Sequence, residues 1–155
     1  MISLFHIGVA VSNLEAMLSV LQSEFKFKII SQRKVNHEYI GQLVQVPGAS
    51  AEIAFLDIGD SNIIELIEWG NNSSISTLNP QSTLASTGIQ HICIYVENAQ
   101  EWFHRLSSAV GVDVLGQSPV VVPIGPNKGC KVFFVKVLNQ LNIEIFERTV
   151  GSESD

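Results

Sequence analysis

Two histidines and two glutamates in this 155-residue sequence have the types and spacing to hold a metal ion: His6, Glu65, His91 and Glu144. Two neutral imidazoles and two carboxylates balance a divalent cation in charge. Both donor types suit Zn, Ni, Co, Mn or Fe, with water completing the shell. Duplication is what singles them out. Phe5-His6-Ile7-Gly8-Val9-Ala10-Val11-Ser12-Asn13 aligns with Gln90-His91-Ile92-Cys93-Ile94-Tyr95-Val96-Glu97-Asn98, so that His91 follows His6 by 85 residues. Downstream, Ala54-Phe55-Leu56-Asp57-Ile58 aligns with Phe133-Phe134-Val135-Lys136-Val137. The same gapless register sets Ile64-Glu65-Leu66-Ile67-Glu68 on Ile143-Glu144-Ile145-Phe146-Glu147, at an offset of 79. Two matches in the same order mark an internal repeat.

A lone histidine on an apolar strand is usually a core residue. Four ligand-type residues at duplicated places are another matter. Side chains alternate along a strand, so Glu65 shares a face with Ile63 and Ile67, and Glu144 with Asn142 and Phe146. A lone ionised carboxylate among such neighbours is costly to desolvate and needs a partner. Glu68 and Glu147 repeat too, but their parity puts them on the other face near a strand end, where solvent exposure is expected. If the two repeats pack side by side, all four ligands can converge in one cleft.

The elements that must position them read βαβββ in each copy. Apolar strands over residues 4–11 and 89–96 open the repeats. Ser12-x-x-Glu15 and Asn98-x-x-Glu101 read as capping boxes. Leu14, Met17, Leu18 and Leu21 recur at helical spacing, as do Trp102, Phe103 and Leu106, and both stripes read as core. Further strands are expected at about 26–33, 42–46 with 51–58, and 62–69, then at 112–117, 120–124 with 130–137, and 141–147. The fold class is therefore α+β: two tandem βαβββ modules. The expected boundaries are a first module over 1–70, a polar linker over 71–87, a second module over 88–148 and a tail over 149–155.

Composition narrows the function classes. Hydrophobic residues make up 46% and charged residues only 15%, against roughly 25% charged in ordinary soluble domains. That supports a globular core and hints at surface hidden in a homodimer. A net charge of −6 argues against nucleic acid as a partner. No apolar run approaches the ~20 residues of a membrane span, and the N-terminus lacks the pattern of a signal peptide. Cys93 and Cys130 read as reduced packing residues, and the expected compartment is the cytoplasm. His104 reads as a surface residue, His37 as a hairpin cap rather than a ligand contact, and Lys128 and Lys131 as loop lysines that could meet an anionic substrate.

On these residues the chain resembles the vicinal oxygen chelate superfamily, which includes glyoxalase I, methylmalonyl-CoA epimerase, extradiol dioxygenases and bleomycin-resistance proteins. The resemblance covers residues 4–148. Gly88-Ile89-Gln90-His91-Ile92-Cys93-Ile94-Tyr95-Val96 and the Gly125-Pro126-Asn127-Lys128-Gly129 loop before Ile143-Glu144-Ile145 look most like the epimerase branch. The resemblance implies two tandem βαβββ modules forming a curved mixed sheet around a metal cleft, with the metal bound by His6, Glu65, His91 and Glu144. Epimerases often have Gln at the place of Glu65, while glyoxalase-type members have Glu. Glyoxalase I typically carries Arg four residues after the first His to hold glutathione, where this chain has Ala10. The place of the epimerase base aligns with Gly48, and Glu52 is nearby.

The expected function is therefore a divalent-metal-dependent epimerase, isomerase or glyoxalase-like lyase. It would move a proton next to a carbonyl of a small acid or its thioester, a CoA thioester among them. Glu144, Glu65 or Glu52 would carry the proton. The alternatives are a non-catalytic small-molecule binding protein of the resistance type and, third, an iron-dependent ring-cleaving dioxygenase.

Overall fold

The computed structural model describes residues 3–70 and 88–147. The chain divides into two compact units, Met1–Asn79 and Pro80–Asp155. The expected linker over 71–87 and tail over 149–155 lie outside the described residues.

The first unit runs β1 (Ile7–Ala10), α1 (Leu14–Phe25), β2 (Lys28–Val35), α2 (Glu38–Val44), β3 (Ala51–Asp57) and β4 (Ile63–Trp69). Its sheet has the order β1-β4-β3-β2. β1 runs parallel to β4, and the other neighbours are antiparallel. The expected helical stripe is core: Leu14, Met17, Leu18, Leu21 and Phe25 of α1 are buried, as are Ala54, Leu56, Ile64 and Leu66 of the sheet. Alternation leaves Phe55, Ile63, Glu65 and Ile67 on the opposite face, each only partly buried.

Two local expectations are corrected. Residues 42–46 are not a strand but fall largely in α2, a short helix capped at its C-terminus by Gln45 in the left-handed conformation. Gly41 permits that turn, because a Cβ there would stand 2.8 Å from the Val46 carbonyl oxygen. Ile40, Ala49, Ala51, Ile53 and Val35 form a second small core beneath it, with Val46, Phe55, Ile67 and Trp69 packed against them. The cap of α1 is Asn13 rather than Ser12: its side chain accepts from the Ala16 amide at 2.8 Å. Asn98 caps α3 in the same way, accepting from the Glu101 amide.

The second unit runs β5 (Ile92–Val96), α3 (Ala99–Leu106), β6 (Val112–Val114), β7 (Val120–Val121), β8 (Lys131–Val137) and β9 (Leu141–Glu147). The order is β5-β9-β8-β6, with β7 also on β8, and β5 again runs parallel to β9. Phe103 and Leu106 are buried, but Trp102 is only partly so and carries the Arg105 guanidinium 4.3 Å above its ring. The helix α2 has no counterpart among the described residues of this unit, where the corresponding stretch holds β7 and an exposed loop. The architecture is α+β, with two mixed sheets built by βαβββ repeats.

Candidate functional site

Each histidine stands one residue before its opening strand, β1 or β5. Two residues on, Gly8 pairs in register with Glu65, and Cys93 pairs with Glu144. The parallel pairing thus carries each imidazole to the carboxylate on the neighbouring strand. His6 Nε2 lies 3.1 Å from Glu65 Oε2, and His91 Nε2 lies 3.2 Å from Glu144 Oε2. The next strand adds a ring. Phe55 is the register partner of Glu65 and Phe134 of Glu144. Phe55 meets His6 edge-on at 5.4 Å, and Phe134 meets His91 edge-on at 5.2 Å. The repeat register already paired these phenylalanines, and their edge-on packing against the imidazoles was the part the sequence reading missed.

Both pairs fit a metal ion in donor chemistry and in spacing. Two donors about 2.1 Å from one ion stand about 3.0 Å apart at adjacent octahedral positions and about 3.4 Å apart at tetrahedral ones. The observed 3.1 Å is nearer the first, and 3.2 Å lies midway between the two. The same spacing lets each pair close as a hydrogen bond. Among the described residues, each pair brings two candidate donors together, and no group of three His, Cys, Asp or Glu side chains is gathered to hold an ion.

The halves differ in their surroundings. The Glu65 side chain is 15% exposed and that of Glu144 is 21%; for His6 and His91 the values are 29% and 38%. His6 Nδ1 is buried without a hydrogen-bond partner. Phe5, 4.8 Å from the His6 ring, and Phe55 confine it instead. Beside Glu65 the residue is Gly8, where a Cβ would fit at 3.6 Å from the carboxylate oxygen. Beside Glu144 it is Cys93, which is exposed on its strand rather than packed in the core. Loss of water around its sulfur, the Glu144 charge and a hydrogen bond to that carboxylate push the thiol up to about 12. Cys130 is buried, as expected.

Glu52 stands apart from both halves. It pairs in register with Glu68 and sits three positions from Phe55, which puts it on the sheet face opposite Glu65. There it accepts from Gln32 Nε2 at 3.0 Å and faces Lys34 at 3.8 Å. Glu68 and Glu147 also correct an expectation: instead of simply facing water, they hold helix starts. Glu68 Oε2 accepts from the Leu14 amide and Glu147 Oε2 from the Ala99 amide, both at 2.6 Å. A carboxylate at these free N–H groups meets both their hydrogen-bonding need and the helix dipole. Lys131 pairs with Glu147 at 3.5 Å, which gives it a structural partner. Lys128 lies in the exposed loop. His104 is exposed, with Gln100 Nε2 3.1 Å from its Nε2. His37 caps a helix, not a hairpin, accepting from the Tyr39 amide at the start of α2.

Asn142 is a buried polar side chain, 4% exposed, two residues before Glu144. Its amide nitrogen donates to the Gln90 carbonyl at 2.9 Å, while its Oδ1 is buried without a partner. Such an unpaired acceptor costs about 1–3 kcal/mol.

No helix among the described residues is long and apolar enough to cross a membrane. The family model for the Glyoxalase/Bleomycin resistance protein/Dioxygenase superfamily matches residues 5–134. No curated protein matches the sequence. Among solved structures, a glyoxalase family protein from Bacillus cereus superposes with a TM-score of 0.80 at 18% identity, covering 97% of this chain and 96% of that one. The fosfomycin resistance protein FosX from Listeria monocytogenes, complexed with Mn(II) and sulfate, gives 0.59 at 16% identity, covering 98% of both chains. A glyoxalase I mutant from Zea mays gives 0.65 at 16% identity, covering 94% of this chain and 45% of that one.

Proposed function

The chain belongs to the glyoxalase/bleomycin resistance protein/dioxygenase superfamily, and we propose that it is a divalent-metal-dependent enzyme moving a proton next to a carbonyl. The substrate class is a small acid or its thioester, and the reaction an epimerisation, isomerisation or glyoxalase-like lyase step. The observation that carries this reading is the repeated constellation of His Nε2, Glu Oε2 and an edge-on Phe at nearly the same distances in both units.

His6, Glu65, His91 and Glu144 are the proposed ligands, and Zn, Ni, Co, Mn and Fe all suit the donor set. A bound cation supplies polarisation of the substrate oxygen, which acidifies the neighbouring C–H. The chain supplies the rest. Glu144, or Glu65 in its place, takes the C–H proton on a carboxylate oxygen and returns it to the same or the adjacent carbon. Phe55 and Phe134 pack edge-on against the imidazoles. Ile63, Ile67 and Phe146 share the carboxylate faces and favour an apolar substrate body beside the carbonyl. Glu52, on the opposite face, has no part in this scheme. Ala10 offers no cation for glutathione.

The purified protein should carry close to one divalent transition metal per chain. It should also drive solvent deuterium into a 2-substituted acyl thioester or a 2-oxo acid in heavy water, stopped by chelator and restored by metal. Glu144→Gln should abolish the exchange, with metal occupancy measured alongside. Full metal occupancy without exchange across a broad panel of such acids would overturn the catalytic reading in favour of small-molecule binding. We also propose a homodimer, supported by the low charged fraction and by sheet edges that require cover. Light scattering at the ~17 kDa monomer mass would contradict it.

A further inference from the structure

We infer that Asn142 is a positioning residue, an amide clamp that fixes the backbone entering His91 and so presets that imidazole for its ion. The inference rests on the proposed metal reading. Asn142 lies on β9 two residues before Glu144, and its Nδ2 donates to the carbonyl of Gln90, the residue immediately before His91. One side chain thus ties the strand bearing the carboxylate to the segment bearing the imidazole. The tie matters because His91 precedes its strand: β5 begins at Ile92, so the ladder does not include the histidine itself.

The repeat provides an internal control. At the offsets of 79 and 85, the places of Asn142 and Gln90 are taken in the first unit by Ile63 and Phe5. No side-chain amide can form the tie there. The Phe5 ring packs against His6 at 4.8 Å and stands 6.2 Å from Phe55. His91 has Gln90 where His6 has that ring. The amide also keeps its Oδ1 buried and unpaired, a cost that an apolar residue such as Ile63 avoids. A core selected for stability alone would not retain it.

The test compares the full-length wild type with Asn142→Ile, which installs the first unit's residue, and with Asn142→Asp, which keeps the size and removes the donor. Three readouts are taken: Zn2+ affinity by titration with the ion alone, the χ1 couplings of His91 and His6 by NMR in chelator, and the melting temperature. Loss of a partner bonded directly to a ligand weakens metal binding by roughly 10–100-fold; Asn142 acts through the residue before His91, so a loss at the low end, about tenfold, is expected in Asn142→Ile. His91 should pass from one rotamer to an average while His6 is unchanged. The melting temperature should hold or rise, because the unpaired Oδ1 is gone. A purely structural role would instead lower melting temperature and affinity together, and that result overturns the inference. So does a changed affinity with an unchanged His91 rotamer, or the reverse. If Asn142→Ile does not fold, Asn142→Asp is judged on the His91 rotamer in chelator alone, since its added carboxylate can itself attract Zn2+. If the wild type binds no Zn2+, the metal reading fails by itself. The clamp is then judged on the His91 rotamer, and a single rotamer retained in Asn142→Ile overturns it.

Discussion

In the first unit the residue before the paired histidine is Phe5, whose ring packs on the imidazole; in the second it is Gln90, whose carbonyl is held by Asn142. Beside the carboxylate the first unit has Gly8 and the second Cys93. Behind the sheet the plan converges again, since Glu68 and Glu147 accept from the first helical amides at the same distance. Register and the edge-on phenylalanine therefore repeat faithfully, while the packing of the residue before each imidazole does not. Strand pairing fixes where His and Glu meet, and any packing that keeps the ring in place satisfies the rest.

Removing either histidine tests whether the halves act together. His6→Ala and His91→Ala should each cost more than the ~10–100-fold typical of losing an outer-shell partner, measured as metal bound per chain after dialysis. If one variant keeps its ion while the other loses it, the halves are not equivalent contributors, and a single half-site suffices.

The sequence made this register legible because a carboxylate in an apolar strand is conspicuous. Ile64 and Leu66 around Glu65, and Ile143 and Ile145 around Glu144, are fully buried, as alternation required. The four βαβββ strands bearing the sites were found for the same reason. Residues 42–46 were misread because Leu43, Val44 and Val46 are apolar at a length where strand and helix share one pattern. Glu68 and Glu147 were placed on the correct face but given the wrong neighbour: parity says which side a side chain takes, not that a helix start arrives there. Glu52 passed as a base on proximity in sequence, and its face decides otherwise. Asn142 gave no signal, since a buried amide tie needs two strands already in register.

The helix-start carboxylates sharpen the comparison by their cross-strand neighbours. Glu147 faces Lys131 and Glu68 faces Glu52, and like charges opposite one another are unfavourable. Glu147→Ala should destabilise its unit by about 1.5–3 kcal/mol, the range for hydrogen bonds to charged groups. Glu68→Ala should cost less, because it also relieves repulsion. Hydrogen exchange of α3 and α1 amides reads the two separately, and equal losses would show that the neighbours do not matter.

The insertion of α2 is confined to the first unit and can be broken there alone. Gly41→Ala sets a Cβ 2.8 Å from the Val46 carbonyl oxygen, so the C-terminal turn of the helix must shift. Overpacking of this kind costs about 1–3 kcal/mol. Amides of α2 and the neighbouring end of β3 should exchange faster, and those of the second unit should not change. Loss of protection in both units would mean that α2 is coupled to the rest of the chain.

The smallest expected effect lies at Gly8 against Cys93. Lost hydration, the Glu144 charge and a hydrogen bond to that carboxylate push the folded thiol up to about 12. A group whose folded pKa is raised favours the folded state most below its unfolded pKa and loses that advantage as pH climbs toward the folded value. The stability difference between wild type and Cys93→Ala should thus be flat up to about pH 8, then shift against the wild type from pH 9 to 12. Because Cys93 is exposed on its strand, solvent screens the Glu144 charge and the shift should be slight. Denaturant unfolding in chelator, with reductant present, measures it at each pH. A difference that stays flat through pH 11 would show that Glu144 does not hold the proton on Cys93. The second carboxylate would then be as unencumbered as Glu65 is beside Gly8.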